Sequence, residues 1–311
     1  MPEARTTLHE TPLNFWQLSG KVRYNNPAGT PMPDVLVQAI DTGGIVTDFD
    51  ITDPDGFYHF PELLQGTYVL APNYDGPWGG VNAIDALLIA KHFAGISLLD
   101  PVSLGAADVN ATGFVNAADA QLAAQRFVDL IDTFPSGDWY FHHSGSINLL
   151  ADSLLNLPVL CFGDVNASHT PGAKHSIPSV SLHTSGELYL SKGKVIDLSF
   201  HVTRDLELGS VSMVLDYPAG RMRILEVTAH GAKSKVYLTD RNGEMRMAIY
   251  DTEGWTLHDG DALVTLKVEI TDLDGIQRMH MVLSPETALS DPAGQRLDGE
   301  VLTVPKLMVN P

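Results

Sequence analysis

Hydrophobic and polar positions alternate with a period of two over much of the chain. Gln17–Tyr24, Val35–Asp41, Ile45–Ile51, Gly56–Phe60 and Gly66–Ala71 each alternate and are bounded by Gly, Pro, Asn or Asp. That pattern predicts five short strands. The period then changes. Ile84, Leu87, Leu88 and Ala90 are spaced for one face of a helix over 81–94, with Phe93 near its end and Gly95 as the stop. Leu122, Phe127, Val128 and Ile131 predict a second helix over 116–131, and 95–107 reads as the link between the two. Short strands and loops follow over 132–160, around Trp139, Tyr140 and Phe141. Alternation returns near residue 180. Glu187–Leu190, Lys194–Val202, Ser210–Tyr217, Met222–Ala229, Glu244–Asp251, Asp261–Thr271 and Arg278–Leu283 predict strands at near-regular spacing, as in a β-sandwich. The expected class is mainly β, with two sandwiches flanking a small helical module. The expected division is a tail over 1–16, a first sandwich over 17–73, the helical module with inserted strands over 74–172, and a second sandwich over 178–311.

Between the two helices the chain reads Asp108-Val-Asn110-Ala-Thr112-Gly113-Phe114-Val115-Asn116-Ala-Ala-Asp119. Side-chain oxygens fall at loop positions 1, 3, 5 and 12, and glycine stands at 6. A calcium loop needs this spacing, because several hard oxygens must surround one cation while the backbone turns sharply. The Phe114 carbonyl would supply position 7. The competing reading is an Asx-rich turn that caps the second helix through Asn116 or Asp119.

Asp at position 12, Val115 at position 8 and the apolar helix that continues from the loop resemble a dockerin repeat. Dockerins are small calcium-folded recognition modules with two loop–helix repeats, so the resemblance implies two calcium ions and no catalysis. It also implies recognition through positions 10 and 11, here Ala83-Ile84 and Ala117-Ala118. Thr112 departs from the usual aspartate and removes one negative charge.

The first helix is preceded by half a loop. Gly79-Gly80-Val81-Asn82-Ala-Ile-Asp85 fits positions 6–12, but Tyr74–Trp78 does not fit positions 1–5. Far downstream, Asp164-Val-Asn166-Ala-Ser168 fits positions 1, 3 and 5, while His169, Thr170 and Pro171 spoil the remainder. One reading joins the fragments in space: Asp164, Asn166 and Ser168 supply the front, and the Gly80 carbonyl and Asp85 the back. A second makes a shortened local site from Asp75, Asn82 and Asp85. A third leaves a metal-free helix and an ordinary turn.

The segments around Ser19–Val22, Pro33–Val37, Thr52–Phe60 and Gly66–Tyr68 resemble the carboxypeptidase-regulatory-like, or prealbumin-like, domains, which are seven-stranded stalk modules. Asp53 and Asp55 there are candidate calcium ligands or an Asp-Gly turn. The ordered series Gly193–Val202, Gly209–Tyr217, Ile224–Val227, Gly243–Asp251 and Asp259–Val268 resembles a cohesin, the receptor that dockerins bind. Other sandwiches, carbohydrate-binding modules included, share that order.

Composition narrows the function. The 311 residues carry 19 basic and 38 acidic side chains, a formal net charge of −19. That excess disfavours nucleic acid and anionic membrane surfaces. No apolar run approaches the roughly 20 residues of a membrane span. The N-terminal Met1-Pro-Glu-Ala-Arg carries no apolar leader core. The single cysteine, Cys161, permits no intrachain disulfide. Calcium is then the expected staple of an extracellular or cell-surface chain. The twelve histidines form no His-Glu-x-x-His, and there is no Gly-x-Ser-x-Gly or phosphate-cradling loop. Trp78, Trp139 and Trp255 suit either core packing or sugar stacking. Trp255 follows Thr252-Glu-Gly, which reads as an exposed loop. The expected function is non-catalytic protein–protein assembly in a bacterial multimodular protein, through dockerin-like and cohesin-like surfaces that meet within the chain or between chains. The alternative is a polysaccharide-binding or stalk region of an exported enzyme.

Overall fold

The computed structural model describes residues 13–142, 145–172 and 180–309. The tail expected over 1–16 lies largely outside them, as do His143 and His175. Contacts divide the chain into two compact units, Met1–Pro77 with Phe141–Val159, and Trp78–Tyr140 with Leu160–Pro311.

The chain opens with β1 (Phe15–Tyr24), β2 (Leu36–Asp41), β3 (Val46–Ile51), β4 (Phe57–Leu64) and β5 (Gly66–Asn73). It then forms α1 (Ala83–Phe93), α2 (Pro101–Ala107) and α3 (Ala117–Phe127). Four short strands follow: β6 (Trp139–Phe141), β7 (Ile147–Leu149), β8 (Ser153–Leu154) and β9 (Leu157–Cys161). The last twelve are β10 (Val180–Leu190), β11 (Val195–Val202), β12 (Leu206–Asp216), β13 (Met222–Ala229), β14 (Tyr237–Arg241), β15 (Glu244–Leu257), β16 (Ala262–Ile270), β17 (Arg278–Met279), β18 (Val282–Leu283), β19 (Ala288–Ser290), β20 (Arg296–Leu297) and β21 (Glu300–Val309). The molecule is thus mostly β, with three short helices between sheet-rich regions.

The first unit has two sheets. One takes β4, β1 and β9 in that order, and β8 also pairs with β1. The other runs β3-β2-β5-β7. Alternation places Leu18, Val22, Val37, Ala39, Tyr58, Phe60 and Leu70 in the interior between them. The sequence places 145–159 inside the helical module, but β7 pairs with β5, and β8 and β9 pair with β1. Three- and two-residue strands carry too little alternation to reveal their partners. At Asp53 the carboxylate accepts the amides of Asp55 and Phe57, 2.9 Å each. That is an Asx turn at which the chain passes from β3 in one sheet to β4 in the other.

The second unit holds the helices and a sandwich of two sheets, β10-β21-β11-β16-β13 and β14-β15-β12-β19-β20. Leu198, Phe200, Met213, Leu215, Met247 and Leu266 belong to the core between these sheets. β12 is buried at nearly every position, not at every second one. Its odd-numbered residues Val211, Met213 and Leu215 enter the core, and Val214 joins α1 and α3 in a second apolar cluster. A strand covered on both faces reads as continuously apolar.

α2, β14, β19, β20 and β21 lie outside the elements that the sequence predicts. α2 interrupts the expected link over 95–107, with Asp100 as N-cap and Pro101 in the first turn. β21 contains Pro305, next to a register shift between Thr184 and Glu187 in its partner β10. A proline costs no ladder bond at such an irregularity. Trp255, expected on an exposed loop, lies within β15 opposite Leu208 and packs in the sandwich core.

Candidate metal centre

The first loop closes on itself. Asp108 Oδ1 and Asn110 Oδ1 both accept the Thr112 amide, at 3.0 and 3.1 Å, and Asp108 Oδ2 accepts the Gly113 amide at 2.7 Å. Thr112 Oγ1 donates to the Phe114 carbonyl at 3.2 Å. Asp119 closes the ring, taking the Asn110 amide on Oδ1 at 3.2 Å and the Asn116 amide on Oδ2 at 2.9 Å. Asn116 is meanwhile the N-cap of α3, in a capping box with Asp119. The capping reading and the ligand reading therefore coexist at the same residues.

The two half-loops, 79–85 and 164–168, meet. Asp164 Oδ1 and Asn166 Oδ1 accept the Ser168 amide, at 2.9 Å each, and Asp164 Oδ2 accepts the His169 amide at 3.0 Å. Ser168 Oγ donates to the Gly80 carbonyl at 3.0 Å. Asp85 takes the Asn166 amide on Oδ1 at 3.2 Å and the Asn82 amide on Oδ2 at 3.0 Å. Asn82 caps α1 in a second capping box. Bond for bond, this is the first loop rebuilt from two segments. Even the left-handed residue recurs, Ala111 at φ 55° and Ala167 at φ 54°.

The donor chemistry suits a hard dication. Each loop converges two carboxylates, an amide oxygen, a hydroxyl and a carbonyl, all oxygen and together carrying −2. Among the described residues no three His, Cys, Asp or Glu side chains form a cluster; each loop draws on two such residues and completes its set with neutral oxygens. Burial, and then the charge of Asp164, push the Asp85 carboxyl well above the usual carboxylate range. Burial likewise raises Asp119, against the amide bonds it accepts, with Asp108 adding to the rise. Asp85, Asp119 and Asp164 are fully buried, an expensive arrangement that a cation relieves. Gly80, at φ 90°, is shaped by this crowding, since a Cβ there would stand 2.6 Å from Asp164 Oδ2.

Residues 79–127 match the dockerin type I domain. Dockerin type I domains bind calcium. The matched dockerin segment holds the complete first loop and the back half of the second, while Asp164, Asn166 and Ser168 fall outside it. No curated protein matches the chain. Solved structures with likeness include a non-cellulosomal cohesin from Archaeoglobus fulgidus, at 18% identity over 41% of this chain and 89% of that one, TM-score 0.32. Another is the sixth cohesin of Acetivibrio cellulolyticus scaffoldin B in complex with a Cel5 dockerin, at 8% identity over 41% and 96%, TM-score 0.35. A third is a type I cohesin–dockerin complex from Clostridium thermocellum, at 11% identity over 40% and 95%, TM-score 0.34.

The dockerin-like helices are seated on the sandwich of their own unit. The Ala83 amide, in the first turn of α1, donates to Ser212 Oγ on β12 at 2.8 Å. At the C-terminal end of α3, Thr239 Oγ1 donates to the Val128 carbonyl at 2.5 Å and Arg246 Nη1 to the Phe127 carbonyl at 3.2 Å. The sheet thus satisfies groups that helix ends leave unpaired. Arg246 Nε also pairs with Asp129 at 3.1 Å, and Lys91 Nζ donates to the Pro292 carbonyl. Of the family's recognition positions, Ala83 and Ile84 are buried, whereas Ala117 and Ala118 are exposed. The tryptophans are used in packing. The Arg126 guanidinium lies 3.7 Å from the Trp78 ring centroid, and the Trp139 ring lies 6.1 Å from that of His169.

Proposed function

We propose that this chain is a non-catalytic assembly component, secreted or held at a cell surface. Its dockerin-like module is closed by two calcium ions and docked on the cohesin-like sandwich of the same chain. Asp108, Asn110, Thr112, the Phe114 carbonyl and Asp119 hold one ion. Asp164, Asn166, Ser168, the Gly80 carbonyl and Asp85 hold the other. The observation that carries this reading is the shared hydrogen-bond pattern of the two loops, one continuous and one built from segments about 80 residues apart. Calcium neutralises the buried carboxylates and fixes the starts of α1 and α3. The hydroxyl at position 5 of both loops spares one negative charge, so each ion binds in the extracellular range, with dissociation constants of about 10⁻⁴–10⁻³ M. Ala117, Ala118 and the rest of the exposed α3 face remain for a protein partner.

Calorimetry on the intact chain, stripped by chelation and titrated with calcium, tests the reading. Two ions per chain are expected. Asp164→Ala and Asp85→Ala should each remove the same ion, and Asp108→Ala the other. At calcium about 30-fold above the dissociation constant, linkage adds roughly 2 kcal/mol of stability per site, seen as a rise in Tm. A single ion in the unaltered chain, bound equally in Asp164→Ala and Asp85→Ala, would reduce the module to its first loop. No ion at all would sink the calcium reading.

A further inference from the structure

The outer face of the sheet β14-β15-β12-β19 is built for one occupant. Ser210, Ser212, Ala248, Ala288 and Ser290 are small and buried, so a helix approaches close to the backbone. A Cβ at Gly209 would stand 2.4 Å from the Asp291 carbonyl oxygen and 2.8 Å from Leu87 Cδ2, so the glycine admits both the Asp291–Pro292 loop and α1. Ser212 meets the start of α1, and Thr239 and Arg246 meet the end of α3. This set of a hydroxyl at one helix start and two donors at the other helix end fits an antiparallel helical pair, and this chain carries such a pair.

The first loop is local and joins α2 to α3. The split loop alone ties the start of α1 to residues 164–168. Ala83, whose amide reaches the sheet, stands two residues before the ligand Asp85. We propose that the calcium of the split loop is a latch that keeps this face covered, and that the unlatched face takes the helical pair of a second copy of the chain. The proposal rests on the calcium reading of the split loop. Within one chain the effective concentration of helices and face is of millimolar order, which favours internal docking. Two unlatched copies at comparable concentration can exchange their helical pairs, and the same contacts then recur twice about a two-fold axis. The interface between copies continues the one already present within the chain, so no new complementarity is needed. A net charge of −19 opposes less specific association.

The test uses the full chain at about 1 mM, near the effective concentration of a short tether. One sample keeps calcium throughout; the other is stripped with chelator, recalcified and diluted. Light scattering behind size exclusion should find monomer in the first and a trapped dimer in the second. At calcium about 30-fold above the dissociation constant, amide exchange of residues 83–87 should quicken by about 30-fold in Asp164→Ala, a local opening, and by much less in Asp108→Ala. Asp164→Asn, which keeps the side-chain shape, provides the same comparison if Asp164→Ala does not fold. Adding Ser212→Arg should abolish the dimer. Two bound ions with unchanged exchange at 83–87 after loss of the split-loop ion, or no dimer after the cycle, would overturn the latch while leaving the calcium reading intact. A single ion already in the unaltered chain, and unaffected by Asp164→Ala, would remove the reading beneath it as well.

Discussion

At the residue scale, the proposed function rests on a few oxygens and on the backbone that aims them. Asp108, Asn110 and Asp119 were legible because one continuous loop displays them at fixed spacing. Asp164 and Asp85 were legible only as halves, each missing what the other holds. What the sequence could not display is the geometry that joins them. Gly80 sits at that joint. Gly80→Ala should cost the split-loop ion and lower the Tm in calcium, because its Cβ would enter the space of Asp164 Oδ2. Calorimetry should then count one ion in place of two. Trp255 illustrates the opposite failure. A Gly-Trp pair reads as a loop, yet a register shift between Leu208 and Ser210 in the partner strand lets β15 continue and bury the ring.

At the element scale, α1 and α3 followed from their helical period and α2 did not. Seven residues rich in small side chains give no clear stripe, and the usable signal was Asp100 followed by Pro101. Asp100 Oδ1 accepts the amides of Val102 at 2.9 Å and Ser103 at 3.2 Å. Asp100→Ala should cost about 0.5–2 kcal/mol by chemical denaturation. Partial burial raises the Asp100 carboxyl, but the bonds from Ser103 and Val102 outweigh it and hold the group below its ordinary value. A depressed folded-state pKa stabilises above the unfolded value and loses that gain as pH falls through the folded one. The deficit of Asp100→Ala should therefore shrink in acid. The interface between α1 and the sheet offers a larger effect. Leu87 is fully buried, so Leu87→Ala should cost about 2–5 kcal/mol. Ser212→Ala strands the Ala83 amide and should cost about 1–3 kcal/mol. A result near zero for both would mean that the helices and the sheet are not energetically coupled.

At the scale of the whole molecule, the class, the two sheet-rich regions and the intervening helices were visible in the change of hydrophobic period. The division of the chain was not. Residues 141–159 leave the helical module for the first unit, and the strands that make the excursion are short. Charge also acts at this scale. With 38 acidic and 19 basic side chains, self-repulsion opposes the compact state, and salt screens it. In chelator the Tm should rise with sodium chloride. In calcium the gain should be smaller, since salt also weakens ion binding.

The split loop imposes an order in time. Asp85 and Asp164 stand 79 positions apart in the chain, and the first loop is complete before the second can begin. At about 5–20 residues per second, α1 waits roughly 4–16 s after its own synthesis before the front half of its loop exists. The sheet that covers Leu87 comes later still. Through that interval α1 has α3 as a partner, but its own loop is open and the face that carries Leu87 is bare, which makes it the segment for which a holding chaperone and a competing chain would contend.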